Sequence, residues 1–194
     1  EQARKNLERE INSYDVSAIA RIGRNEWNDA LGKIQVSGGS ENDKTVFYTS
    51  LYRCYERPVN LSEDGKYYSA FDGKIHEDGG RSFYTDDWIW DTYRAAHPLR
   101  LLIDEGTEKN VIDSYLRMAE QMGNMWMPTF PEITGDSRRM NSNHAVATVA
   151  DAAAKGLQFD LAKAYEACRK GIEEKTLAPW SGAAAGWIDD FYKK

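Results

Sequence analysis

Four groups of residues have the types and spacing that chemistry needs. The first lies within residues 82–102. Asp87, Asp91 and Arg94 stand at i, i+4 and i+7, one face of a helix, and His97 follows. Asp91 and Arg94 are spaced for an i, i+3 ion pair. Such a face is commonly a solvated, salt-bridged surface. Here Trp88, Ile89, Trp90 and Tyr93 encircle it, which predicts burial on most sides and a polar face lining a cavity. The second group is Phe71-Asp72, an aromatic ring to stack on a sugar beside a carboxylate to bind its hydroxyls. The competing reading is an ordinary Asp-Gly turn at Asp72. Third come Glu132 and Asp136, two carboxylates on a loop constrained by Pro131 and Gly135. Either can serve as a general acid, or Asp136 can simply cap a helix beginning at Ser137. Fourth, His144, Thr148 and Asp151 share a helix face. One histidine with one carboxylate is a weak metal signal, and such a lone histidine is more often a satisfied core residue.

Other chemistries are excluded. Asp64, Asp72, Glu77 and Asp78 miss the EF-hand pattern. No phosphate-binding glycine loop and no nucleophile elbow is present. The formal net charge of -6 argues against a broad nucleic-acid footprint. No apolar run is long enough to span a membrane. Cys54 and Cys168 are too few for a disulfide scaffold, lack metal-site spacing, and read as buried free thiols. The sequence opens at Glu1 in a helical pattern, so an upstream segment is expected.

Helices must position these residues. A short charged helix is predicted over 1–11. A second carries Ile19, Ile22, Trp27, Leu31 and Ile34 and ends at Gly38-Gly39. Ser40 with Asp43 forms a capping box for a third, which stops before Pro58. Residues 59–81 read as a long ordered loop with hairpin turns at Asp64-Gly65 and Asp72-Gly73. Thr85 caps the helix of the first group, and His97-Pro98 breaks it. Thr107 caps the next helix, whose stripe is Val111, Ile112, Tyr115, Leu116, Ala119 and Met122, closed by Gly123. A second irregular stretch, 124–139, leads to an alanine-rich helix over 140–155. Further helices are expected over 160–174 and from 186 onward, with a loop at 178–186. The expected class is all-α, with paired antiparallel helices and long ordered loops at one side, which suits a toroid better than a four-helix bundle.

The ordered series of motifs resembles a known family. Phe47-Tyr48-Thr49-Ser50-Leu51-Tyr52, Asp64-Gly65-Lys66-Tyr67-Tyr68 and Phe71-Asp72-Gly73-Lys74-Ile75-His76 carry the resemblance. So do Trp90-Asp91-Thr92-Tyr93-Arg94-Ala95-Ala96-His97-Pro98-Leu99, Met140 followed by His144-Ala145, and Ala150-Asp151-Ala152. They are similar to glycoside hydrolase family 92, mainly bacterial exo-acting α-mannosidases, over roughly residues 6–194. The resemblance implies an (α/α)6 toroid preceded by a β-sandwich, a calcium ion, and inversion at the anomeric carbon. Residues 1–13 would be a connector from the absent β-sandwich, and 14–194 the N-terminal half of the toroid. Phe71, Asp72, Trp90, Asp91 and Arg94 match sugar-binding positions, and His144 joins them. Asp136 stands where the family carries a glutamate acid, one methylene shorter here, with Glu132 as the alternative. The general base and the calcium ligands are expected downstream, with none in this segment. The implied substrate is an α-mannoside glycan, for example α-1,2-linked, and the implied location periplasmic or secreted. The rival readings are a non-catalytic helical glycan-binding module and another (α/α)6 glycosidase or lyase.

Overall fold

The computed structural model describes residues 1–11, 13–141 and 143–174. The chain divides into two compact units, Glu1–Arg53 and Cys54–Lys194.

The first unit holds three helices. α1 (Gln2–Glu10) is charged and buries none of its residues. α2 (Val16–Leu31) starts on Asp15, whose carboxylate accepts from the Ser17 and Ala18 N–H groups. It stops at Leu31, short of the expected Gly38-Gly39. α3 (Glu41–Arg53) opens with the expected capping box. Ser40 Oγ accepts from Asp43 N at 3.2 Å, and Asp43 Oδ2 accepts from Ser40 N at 2.9 Å. These bonds from Ser40 hold the Asp43 carboxyl below its usual range.

The second unit combines helices with three antiparallel two-stranded ribbons, a strand content that an all-α reading omits. β1 (Val59–Asn60) pairs with β4 (Tyr84–Thr85), and β2 (Lys66–Ser69) with β3 (Lys74–Glu77). β5 (Pro131–Glu132) pairs with β6 (Gly135–Asp136). The Asp64-Gly65 turn forms as expected. Both residues have positive φ, 51° and 76°, and Glu63 and Lys66 exchange backbone bonds of 2.7 and 3.0 Å across it. That is the twist a two-residue hairpin prefers.

The helices of this unit among the described residues are α4 (Ile89–Thr92), α5 (Ala96–Ile103), α6 (Glu105–Gln121), α7 (His144–Ala154) and α8 (Leu161–Glu173). α6 is the centre. Its stripe of Val111, Ile112, Tyr115, Met118 and Ala119 is completely buried, and α5 and α8 both pack on it. It starts two residues before Thr107, at Glu105. α7 packs on α5 and α8 through Ala145, Val149 and Ala152, since small side chains allow close approach. It begins at His144 rather than Met140, because Met140 has φ 61°, which no helix continues. Both cysteines are half-buried free thiols rather than buried ones, and burial pushes the Cys168 thiol up to about 11. The segment read as a loop and a further helix from 178 onward lies outside the described residues.

The helix expected after Thr85 is the largest departure. Thr85 lies in β4 and donates to Glu132 O at 3.1 Å instead of capping. Asp86 has φ 57°, so the chain turns before one short helical turn, α4, and then restarts as α5. His97-Pro98 therefore begins a helix and does not break one. Pro98 sits in the first turn of α5, where a missing N–H costs nothing.

One side chain ties the β2–β3 hairpin to the core. Gln121 Nε2 donates to Tyr67 OH at 2.9 Å, and its Oε1 accepts from Ser69 Oγ at 2.8 Å. Tyr67 and Ser69 are both buried, so Gln121→Ala takes one hydrogen-bond partner from each of two buried hydroxyls. We expect it to destabilise the full-length protein by about 1–3 kcal/mol in urea unfolding. Hydrogen exchange should rise first in residues 66–77. Wild-type protection there would show that Gln121 does not hold the hairpin.

Candidate active site

Three loops converge at one end of the second unit. The first is the tip of the β2–β3 hairpin, carrying Phe71 and Asp72. The second joins β4 to α4. The third is the β5–β6 hairpin. Asp87 N donates to Pro131 O at 3.1 Å, which with the Thr85–Glu132 bond locks the second loop to the third. Trp88 stacks on Phe130 at 6.0 Å, and the Arg57 guanidinium lies over the Trp88 ring at 4.0 Å. Gly135 approaches the first loop closely, since a Cβ there would lie 3.5 Å from Ala70 O. Its φ of 115° also suits only glycine.

The side chains singled out from sequence separate into outward and inward sets. Trp90 is 39% exposed, and Asp91 and Arg94 are exposed beside it. Asp91 and Arg94 do not form the expected ion pair, because Arg94 lies beyond the end of α4. Asp72 is held rather than free. It closes its own turn by accepting from Lys74 N at 3.1 Å, and His76 Nε2 meets both its oxygens at 2.9 and 3.1 Å. Phe71 is half-buried against the core, edge-on to Phe83 at 6.4 Å. His144 lies 4.2 Å from the Tyr93 ring, and its Nδ1 is buried without a hydrogen-bond partner among the described residues. Thr148 bonds back to His144 O, and Asp151 pairs with Lys155, so the three residues of that face do not form one constellation.

Asp136 is 7% exposed and caps no helix. Its Oδ2 accepts from Thr129 N at 3.0 Å, and its Oδ1 accepts from Phe130 N at 2.8 Å and Arg138 N at 3.1 Å. Both oxygens are thus engaged by the backbone of their own hairpin. Glu132 is freer. It borders a cavity of about 270 Å³, shared with Thr134, Gly135, Asp136, Arg138 and Arg139. Its carboxylate lies 3.5 Å from the Arg139 guanidinium.

Asp87 and His97 turn inward, into a buried charge network instead of a cavity. Asp87 accepts from Thr92 Oγ1 at 2.8 Å, from Tyr115 OH, and from His97 Nε2 at 3.0 Å. His97 Nδ1 donates to Glu108 Oε1 at 2.8 Å, and Arg100 Nη1 donates to Glu108 Oε2 at 2.8 Å. Arg100 also reaches Arg57 O at 3.1 Å. Burial opposes charge on His97, but the carboxylates of Asp87 and Glu108 overcome it and push its pKa up to about 9. Burial likewise opposes ionisation of Asp87, but the His97 charge and the bonds from His97, Tyr115 and Thr92 hold its pKa below the usual range. Two cations face two anions, so the cluster is neutral as a whole.

With this geometry in place, the chain can be set beside known proteins. The family model described as the glycosyl hydrolase family 92 catalytic domain matches residues 2–194. The chain belongs to glycoside hydrolase family 92. Solved family 92 structures agree. The inverting mannosidase BT2199 from Bacteroides thetaiotaomicron VPI-5482 has a TM-score of 0.83 at 31% identity, covering 99% of this chain and 26% of that one. The α-mannosidase BT3965 from Bacteroides thetaiotaomicron has a TM-score of 0.79 at 26% identity, covering 88% of this chain and 23% of that one. The family 92 glycosyl hydrolase ccman5 gives 0.69 at 28% identity, covering 88% and 23%. No curated protein sequence matches. The chain spans about a quarter of the length of these family 92 structures.

Sequence reasoning missed Thr92, Arg100, Glu108 and Tyr115 as members of one network. A faint signal was available: Glu108 and Asp113 lie along a helix whose stripe is otherwise apolar.

Proposed function

We propose that the chain is the N-terminal part of the (α/α)6 catalytic toroid of an inverting exo-α-mannosidase that removes terminal α-mannose from glycans. In this reading residues 1–13 are a connector, and 14–194 hold one wall of the active site. The observation that carries it is the meeting of three loops bearing the family 92 motifs at one end of the unit. They hold Trp90, Asp91 and Arg94 outward while their frame is buried. Trp90 offers a ring to the sugar face, and Asp91 and Arg94 offer hydroxyl partners. His144, half-buried beside the Tyr93 ring, would join them. In the first unit Tyr14, Val16, Ile22 and Val46 are exposed, apolar surface that the rest of a toroid would cover.

Of the two candidate acids, which line the same cavity, the geometry favours Glu132, whose carboxylate accepts no backbone bond among the described residues. Asp136 instead holds the hairpin in shape. Glu132 would donate its proton to the leaving glycosidic oxygen. A second carboxylate, from outside this chain, would activate water on the opposite face of the sugar. The family resemblance implies calcium. Its ligands are proposed to come from the part of the protein downstream of this chain. No described helix is long and apolar enough to cross a membrane, and the proposed location is periplasmic or secreted.

The full-length protein should release mannose from an α-mannoside as the β-anomer first, read by proton NMR during early turnover. Initial α-mannose would overturn inversion. An unsaturated product absorbing in the ultraviolet would make it a lyase, and glycan binding without turnover would make it a binding module. The 194-residue chain alone should be inactive, since the second carboxylate is proposed to lie outside it.

A further inference from the structure

α4 is a single turn of four residues with no side-chain cap. Such a turn has no stability of its own, because nucleation costs more than one turn of bonds returns. The side chains of its outward residues Trp90 and Asp91 make no hydrogen bond or ion pair among the described residues. What fixes the turn lies below it. Ile89 is fully buried, and Thr92 Oγ1 donates to Asp87 Oδ1 at 2.8 Å while lying 3.1 Å from His97 Nε2.

We propose that His97 is a positioning residue that sets the orientation of Trp90 and Asp91, acting through Asp87 and Thr92. The proposal rests on the reading of α4 as a sugar-facing wall. Only the imidazolium has two N–H groups, and both are used, one on Asp87 and one on Glu108. A neutral ring can serve one carboxylate and leaves the other without its donor. The groups facing the ring are Asp87 before α4, Thr92 on it, Arg100 on α5, and Glu108 and Tyr115 on α6. Asp87, Arg100, Glu108 and Tyr115 are buried and cannot exchange a lost partner for water, while Thr92 is half-buried at the edge of the network. Loss of the Nε2 donor is therefore felt first at Asp87 and Thr92, the bonds that hold the turn.

The test uses the full-length enzyme with Thr92→Val, Thr92→Ser and His97→Gln. Hydrogen exchange at neutral pH, without substrate, reads the turn directly. Thr92→Val and His97→Gln should speed exchange in residues 89–93 while α6 stays protected, and Thr92→Ser should restore it. With an α-mannoside, Thr92→Val should raise KM by about tenfold or more, since misplacement of a binding group costs that order. The kcat should change less. Wild-type KM should rise as the pH passes about 9, and Thr92→Val should lack that rise. Unchanged exchange in 89–93, or a KM rise identical in wild type and Thr92→Val, would overturn the proposal. A wild-type enzyme inert on every α-mannoside would sink the functional reading instead, and exchange would still decide the role of His97.

Discussion

Replacing Glu108 with glutamine should lower the unfolding free energy of the full-length protein by about 3–5 kcal/mol, the cost of breaking a buried ion pair by removing one partner. Glu108 is fully buried and is the acceptor for both His97 and Arg100. The amide leaves two buried cations facing one anion, and it turns an N–H toward a donor. Replacing Glu108 and Arg100 together with leucine should cost less than Glu108→Gln alone, because no charge is then left unpaired. The pH dependence has a defined sign. The pKa of His97 is raised from 6.5 to about 9 on folding, so its contribution is fully present below about 6.5 and is lost as the pH rises through about 9. The size is about 3 kcal/mol, as order of magnitude. Asp87 works in the opposite window. Its folded pKa is depressed, so its contribution is present above the ordinary carboxylate range and is lost as the pH falls. Urea unfolding at pH 6 and pH 9.5 measures this, with His97→Gln as the reference that should lose the alkaline slope. Equal midpoints for wild type and Glu108→Gln at pH 6 would refute the account.

This network also shows where the sequence stopped being legible. Features governed by neighbours within a few residues could be read. The Ser40–Asp43 box, the Asp64-Gly65 turn and the buried stripe of α6, apart from the half-buried Met122 past its end, formed as their local chemistry required. Features governed by distant partners could not. His97 finds Glu108 11 residues away, and Asp87 finds Tyr115 28 residues away, so helix spacing alone predicted a polar face where the fold made a core. Thr85 is the sharpest case. Its type and its place before two aspartates satisfy the rule for a helix cap, yet its hydroxyl bonds a carbonyl 47 residues on. One tertiary bond outweighed a local preference of similar size. Spacing singled out Asp91 and Arg94 as an ion-paired helix face, but α4 ends at Thr92 and the pair does not form, so a sugar-facing role for Trp90, Asp91 and Arg94 rests on the resemblance.

The largest catalytic effect is expected at Glu132. Glu132→Gln should lower kcat of the full-length enzyme on a natural α-mannoside by about 10²–10⁴-fold, the usual worth of a positioned general acid. On an aryl mannoside with a good leaving group the loss should be far smaller, because a stable phenolate departs without a proton. Asp136→Asn should behave differently. Asparagine keeps one acceptor oxygen but sets an amide N–H against backbone donors now held by the carboxylate at 2.8–3.1 Å. At least one of the three bonds is then lost, at a cost of about 1–3 kcal/mol. The hairpin that also carries Glu132 loosens, so activity should fall on both substrates alike, together with stability. The ratio of natural to activated substrate therefore separates the two roles. A strong leaving-group dependence for Asp136→Asn, with none for Glu132→Gln, would return the proton to Asp136, where the family pattern puts it. It would then require that the three backbone bonds to Asp136 open before the sugar is cleaved.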